Sequence, residues 1–207
     1  MGSPIYSLQN PIIAKNHQRI KEISQYEVET ISINGTSVEH AKQIMYKKFL
    51  ESDCDYFFNV DADIYFYDLD ISPIDILISN NKDIIGGIYV CKKFPFRPAH
   101  RPLDLQKQYE EKGEFPEDYI FKIPKEVHEV QWLAGGCMLI KREVIEKLMK
   151  KFLVPNLPMT YKKEYLSEDF GFCQRSRELG YKIYADPRIK LGHQGPYIYT
   201  LDNYKNI

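Results

Sequence analysis

Long apolar runs are missing from this 207-residue chain. None approaches the ~20 residues that cross a bilayer, and the amino terminus lacks the basic-then-apolar pattern of a signal peptide. Cysteine is sparse: Cys54, Cys91, Cys137 and Cys173 lie far apart, and none sits in a C-x-x-C or Cys/His cluster with zinc spacing. They read as reduced, mostly buried thiols. Neither sign of charge dominates, and a formal net charge of −1 leaves no basic field for nucleic acid. Internal repeats and low-complexity tracts are absent too. These absences predict a cytoplasmic chain with no transmembrane segment and no nucleic-acid partner, acting on a small molecule.

The apolar content of 43%, with 14% aromatics, is enough for one substantial core, so a single domain over 1–207 is expected. Ile12, Ile13, Ile20 and Ile23 recur at helical spacing from Pro11 to about Ser24. VETISI (28–33) alternates as a strand, and Thr36 or Ser37 offers an N-cap for a helix through Ala41, Met45 and Phe49. The YFFNV run (56–60) is apolar on both faces, as a central parallel strand should be. ISPIDILISNN then reads as a short helix with Pro73 near its start, and DIIGGIYV as a fourth buried strand. Residues 94–118 form a long excursion, proline-rich and then poorly periodic. Beyond it, EVQWLAGGCMLIKREVIEKLMKKF predicts a strand around a Gly-Gly pair followed by a helix. Ser167 opens another helix to about Leu179, YKIYADP is a last strand, and LGHQGPY is a terminal loop. The alternation predicts an α/β domain, with a mixed, mostly parallel sheet flanked by helices.

Asp61 and Asp63 follow the buried YFFNV run one residue apart. On an extended backbone their side chains share a face, so both carboxylates reach one cation while Ala62 points away and leaves the backbone open to a ligand. Such a pair at the carboxyl end of a central strand suits Mg²⁺ or Mn²⁺ bridging a diphosphate. A solvated turn is the alternative. Ser167-Glu168-Asp169 is explained by capping and the helix dipole alone, but near a metal-bound diphosphate a carboxylate there is well placed as a general base. His193, between two glycines, is either exposed or a ligand; imidazole beside carboxylates favours Mn²⁺. Trp132 defaults to the core, yet its ring could also serve as a platform for a sugar, with Gly135 and Gly136 letting a substrate approach the backbone.

In this order the segments FLESDCDYFFNVDADI, DIIGGIYVCKK, WLAGGCMLIKREVIEKL and SEDFGFCQRSRELGYKIYADPRIKLGHQG resemble GT-A-fold (Rossmann-like) nucleotide-sugar glycosyltransferases, especially small bacterial, phage and large-virus members. The resemblance covers nearly the whole chain. It implies that Asp61 and Asp63 hold Mn²⁺ or Mg²⁺ against the donor diphosphate and that His193 completes the metal site. Pro4, Ile5 and Tyr6 would line the base pocket, and Asn34 stands where relatives often carry an aspartate for the base or ribose. Asp169 would deprotonate the acceptor hydroxyl, with Glu168 orienting the acceptor, which implies inversion at the anomeric carbon.

The expected donor is a nucleoside-diphosphate sugar, UDP-linked in preference to GDP-linked, held by about 1–92. The acceptor would be a glycan or other hydroxyl compound held by about 93–207, and a lipid-linked acceptor would place the protein at a membrane surface. Two departures stand out. His40-Ala41-Lys42-Gln43 replaces the Arg-Ala-Arg-Asn of close relatives, so a guanidinium fork toward the donor becomes a point charge at Lys42. Only three residues precede Pro4, leaving almost no first strand. Two other readings stay open: a haloacid-dehalogenase-like phosphatase with Asp61 as nucleophile and Asp63 as acid, and a non-catalytic sugar- or nucleotide-binding module.

Overall fold

The computed structural model describes residues 2–5, 10–34, 36–92, 96–116, 119–195 and 198–201. In chain order the elements are β1 (Gly2–Ile5), α1 (Pro11–Glu22), β2 (Ile31–Asn34), α2 (Val38–Glu51), β3 (Tyr56–Val60), β4 (Ile64–Phe66), α3 (Pro73–Ser79) and β5 (Ile84–Gly87). There follow β6 (His100–Arg101), α4 (Leu103–Lys112), β7 (His128–Val130), β8 (Trp132–Leu133), β9 (Cys137–Lys141) and α5 (Arg142–Lys151). The chain closes with β10 (Met159–Tyr161), β11 (Glu164–Leu166), α6 (Glu168–Glu178), β12 (Ile183–Asp186), β13 (Leu191–Gln194) and β14 (Ile198–Thr200).

A seven-stranded sheet in the order β2-β1-β3-β9-β5-β12-β7 forms the centre. Pairing is parallel for β1–β2, β1–β3 and β5–β12, whereas β9 runs antiparallel to both β3 and β5, and β7 to β12. Five strands therefore share one direction and two oppose it, which is the expected mixed α/β architecture. Gly2–Ile5 does form a strand, in register with Ile31–Asn34, so the first strand is present. The insertion of β9 beside β3 was not legible beforehand: β3 is buried on both faces, but only one of its edges is parallel.

Alternation along the strands feeds two cores. Phe57, Ile84, Met138, Ile140, Ile183 and Ala185 face a cluster completed by α2, α5 and α6 through Met45, Phe49, Val144, Leu148 and Phe172. Their neighbours Phe58, Ile85 and Leu139 face the other side, where Ile20 of α1 and Ile74 and Leu77 of α3 cover them. Helix boundaries follow local chemistry. Asn10 caps α1 by accepting from the Ile12 N–H at 2.9 Å, and Pro11 and Pro73 occupy first-turn positions where no amide donor is needed.

Three expectations need correction. The 94–118 excursion contains β6 and the ten-residue helix α4, anchored by antiparallel pairing of His100–Arg101 with Trp132–Leu133 and by the Arg101–Glu164 ion pair at 2.6 Å. LGHQ is a strand, pairing antiparallel with β4 and β14, and its glycine lets the Ile198 side chain close over the backbone. Of the four cysteines, which are all free, Cys91 is exposed.

Candidate functional site

The carboxyl ends of β1, β2, β3 and β5 lie at one edge of the sheet, the edge where open α/β sheets bind ligands. At the end of β3 the chain stops being extended. The Asp61 N–H donates to the Gly136 carbonyl at 3.1 Å, and the Ile64 N–H returns to the Asp61 carbonyl at 3.1 Å, so Asp61-Ala62-Asp63-Ile64 is a tight turn. The premise of an extended backbone for the pair is thus corrected. A turn and a ligand site coincide here, because the turn faces two other segments.

The first is the Gly135–Gly136 approach to β9. Asp169, in the first turn of α6, receives the Gly135 N–H on Oδ2 at 2.8 Å and the Lys42 ammonium on Oδ1. A Cβ on Gly135 would stand 2.4 Å from Asp169 Oδ1 and 3.0 Å from Lys42 Nζ. One on Gly136 would stand 2.6 Å from the Tyr89 hydroxyl, which accepts the Gly136 N–H at 3.1 Å. The glycine pair therefore lets Asp169, Lys42 and Tyr89 close on the backbone. Asn59, the polar exception in β3, donates to the Gly135 carbonyl and lies 3.4 Å from Asp61 Oδ1.

The second segment is β13. Pairing of His193 with Ile64 carries its imidazole to the turn, where Nε2 stands 3.7 Å from Asp63 Oδ2 and Tyr89 meets the ring edge-on at 4.9 Å. His193 Nδ1 is 2.9 Å from the Val90 carbonyl, which can only accept, so Nδ1 donates there and Nε2 is left facing Asp63. Helix α1 braces this corner. Asn16 exchanges both of its amide bonds with the Phe66 backbone, and His17 donates to the Ile64 carbonyl at 2.7 Å.

The electrostatics follow from the geometry. Burial pushes the Asp61 carboxyl up to about 6; Asp169 and Asp63 add to the push, while Lys42 and the Asn59 amide oppose it. Burial acts on Asp63 in the same sense but is outweighed by His193 and Lys92, which hold that carboxyl down at about 2. Burial alone would lower Lys42, yet Asp169 and then Asp61 keep it well above its ordinary value. Glu168 is raised, first by burial and then by Asp169.

Four site residues expected from sequence, Asp61, Asp63, Asp169 and His193, share one charge cluster with Lys42, although among the described residues no three acidic, histidine or cysteine side chains form a ready metal cage. The donor set nevertheless suits a hard or borderline divalent cation: a carboxylate oxygen and an imidazole nitrogen face each other, with a second carboxylate in the same turn. Pro4 and Ile5 lie on β1, with Ile5 in register with the exposed Asn34, so these nucleotide-pocket candidates are neighbours along the same sheet edge. Tyr6 lies outside the described residues.

Trp132 does not offer a platform. It is fully buried, with its Nε1–H bonded to Gln174 at 3.2 Å and Phe170 packed against the ring. Instead, a cavity of about 260 Å³ lined by Cys91, Arg97, Arg101, Phe115, Tyr119 and Phe170 lies between the segments carrying Lys92 and Asp169. Sequence reading missed Tyr89 and Lys92. A lysine pair after a strand looks like ordinary surface, and nothing local marks its contact with Asp63.

Among solved structures, A197 from STIV matches with a TM-score of 0.58 at 20% identity, covering 94% of this chain and 84% of A197. The chain shares the fold of A197. GalNAc-T7 crystallised with UDP, GalNAc and Mn²⁺ (TM-score 0.45, 15% identity, 92% of this chain and 38% of that one) and apo UDP-glucose pyrophosphorylase (0.44, 13%, 91% and 64%) are more distant. This chain therefore spans less than two thirds of the length of either. No family model matches the sequence, and no curated protein does. Within the A197 fold no helix of the described residues is long and apolar enough to cross a membrane.

Proposed function

We propose that the protein is a metal-dependent, inverting glycosyltransferase that moves a sugar from a nucleoside-diphosphate donor, UDP-linked by preference, to a hydroxyl of a glycan or similar acceptor. One observation carries this reading: Asp61, Asp63, Asp169 and His193, separated by up to 132 residues in sequence (193 − 61), converge at the ligand-binding edge of the sheet.

Residues 1–92 hold the donor, with Ile5 and Asn34 toward the base, and residues 93–207 hold the acceptor. Asp63, His193 and Asp61 hold Mn²⁺ or Mg²⁺, which when bound neutralises charge on the departing diphosphate. Asp169, oriented by Lys42 and the Gly135 N–H, keeps a second lone pair on each oxygen and takes the acceptor hydroxyl proton as the sugar carbon is attacked from the opposite face. Glu168, half-buried one residue earlier, orients the acceptor, which lies toward the aromatic and arginine-lined cavity beside Phe170.

Asp169→Asn tests the assignment. Transfer should fall by about 10²–10⁴-fold while donor binding persists. Donor binding without measurable transfer in the wild type would favour a binding module, which has no transfer to lose. Phosphate release from an aryl phosphate that depends on Asp61 would favour a phosphatase.

A further inference from the structure

Two cations meet the carboxylates of this site, and they differ in kind. Lys42, on Asp169, is 2% exposed and fixed in the core; Lys92, on Asp63, is a third exposed and sits at the mouth of the site. Lys92 follows a short paired stem, in which the Cys91 N–H donates to the Arg97 carbonyl at 2.9 Å and Val90 bridges Pro98. Its flexible four-carbon side chain is thus carried on a fixed backbone stem.

The contact atom is informative. Lys92 Nζ meets Asp63 Oδ2, the same oxygen that stands 3.7 Å from His193 Nε2. With Nδ1 committed to Val90, His193 turns Nε2 to the same carboxylate oxygen that the Lys92 ammonium meets, so lysine and imidazole converge on Asp63 Oδ2. A divalent cation held by Asp63 and His193 would need that oxygen, and Lys92 now occupies it.

We propose that Lys92 is an exchangeable cation of the donor site: it neutralises Asp63 when no metal is present, and on metal binding it turns to the donor diphosphate as an anion-binding residue. This rests on the metal–diphosphate reading above. The exchange follows from charge. A divalent ion taking Asp63 and His193 repels the ammonium and removes its anionic partner, and the diphosphate drawn in by the metal is the new anion within reach. Metal and lysine compete in the empty site and cooperate in the loaded one.

Opposite signs are the consequence, and Lys92→Met reads them. Mn²⁺ binding, followed by loss of the free Mn²⁺ spin-resonance signal, should tighten about two- to fivefold in Lys92→Met, the range expected for removing a competing exposed ion pair. At saturating Mn²⁺, UDP binding by calorimetry should weaken about tenfold in the same variant, as for loss of a charge-assisted bond. Lys92→Arg should keep UDP binding near the wild-type value. Unchanged Mn²⁺ affinity, or both affinities moving the same way, would overturn the exchange and leave the metal–diphosphate site standing. Absence of Mn²⁺ binding to the wild type, with and without UDP, would remove the site itself and the exchange with it.

Discussion

Lys42 of α2 and Asp169 of α6 form a buried ion pair across 127 residues of sequence, with the Gly135 N–H completing the carboxylate. The pair ties the helix that follows β2 to the helix that carries the proposed base. It also places one fixed positive charge beside Asp61, whose burial it only partly offsets.

Removing one partner of such a pair strands the other charge. Lys42→Met should therefore destabilise the fold by about 3–5 kcal/mol in urea unfolding, whereas Lys42→Met with Asp169→Asn should recover much of that loss, because neither variant side chain then carries an uncompensated charge. Equal destabilisation by the single and the double variant would show that packing, and not charge pairing, is what Lys42 supplies.

Gly135 owes its identity to this pair. Gly135→Ala puts a Cβ 2.4 Å from Asp169 Oδ1, so the Asp169 carboxylate must move off its contacts with Lys42 and the Gly135 N–H. The expected cost is about 1–3 kcal/mol, as for an overpacked core, with a loss of transfer out of proportion to the loss of stability. Retained transfer with a stability loss alone would place Asp169 outside the chemistry.

The corner that presents Asp63 and His193 depends on α1. Asn16→Ala deprives the Phe66 amide and carbonyl of both their side-chain bonds, at a cost of about 1–3 kcal/mol for the groups left unpaired, and β4 and β13 should loosen together. Amide hydrogen exchange should then rise at Phe66 and His193 and stay unchanged at Phe57. Uniform exchange across both sheets would contradict local bracing.

Acid should destabilise the protein through His100. Burial chiefly, helped by neighbouring His128 and only partly offset by Asp104, holds this imidazole down at about 4 from an ordinary 6.5. The unfolded chain then binds the proton first as pH falls, so stability is intact above 6.5 and lost progressively between 6.5 and about 4, by about 3 kcal/mol at most. His100→Gln should flatten that segment of the stability–pH curve. An unchanged slope would assign it to other groups.

Much of the fold was legible because its signals are local. Helical spacing in α1, the Ser37 cap of α2, the two-faced apolar run of β3 and the amphipathic α5 each carry their own instruction. What was hidden is non-local. Nothing within CMLIK says that it pairs antiparallel with β3 and β5, and nothing within LGHQ says that β4 waits to pair with it.

The site divides in the same way. Asp61, Asp63, Asp169 and His193 could be named because carboxylates and imidazole are conspicuous near glycine or after a buried run. Lys92 could not, since its partner lies 29 residues back and surface lysines are common. Trp132 misled for the complementary reason, since Gln174, the residue that satisfies its indole inside the core, lies 42 positions further on.

Nucleotide binding with and without metal tests the central claim most directly. UDP, or failing that GDP, should raise the melting temperature of the wild type only when Mn²⁺ or Mg²⁺ is present, and Asp61→Asn should abolish the rise. Metal-independent stabilisation, or none with uridine, guanosine, cytidine and thymidine diphosphates alike, would contradict a metal–diphosphate site at Asp61, Asp63 and His193.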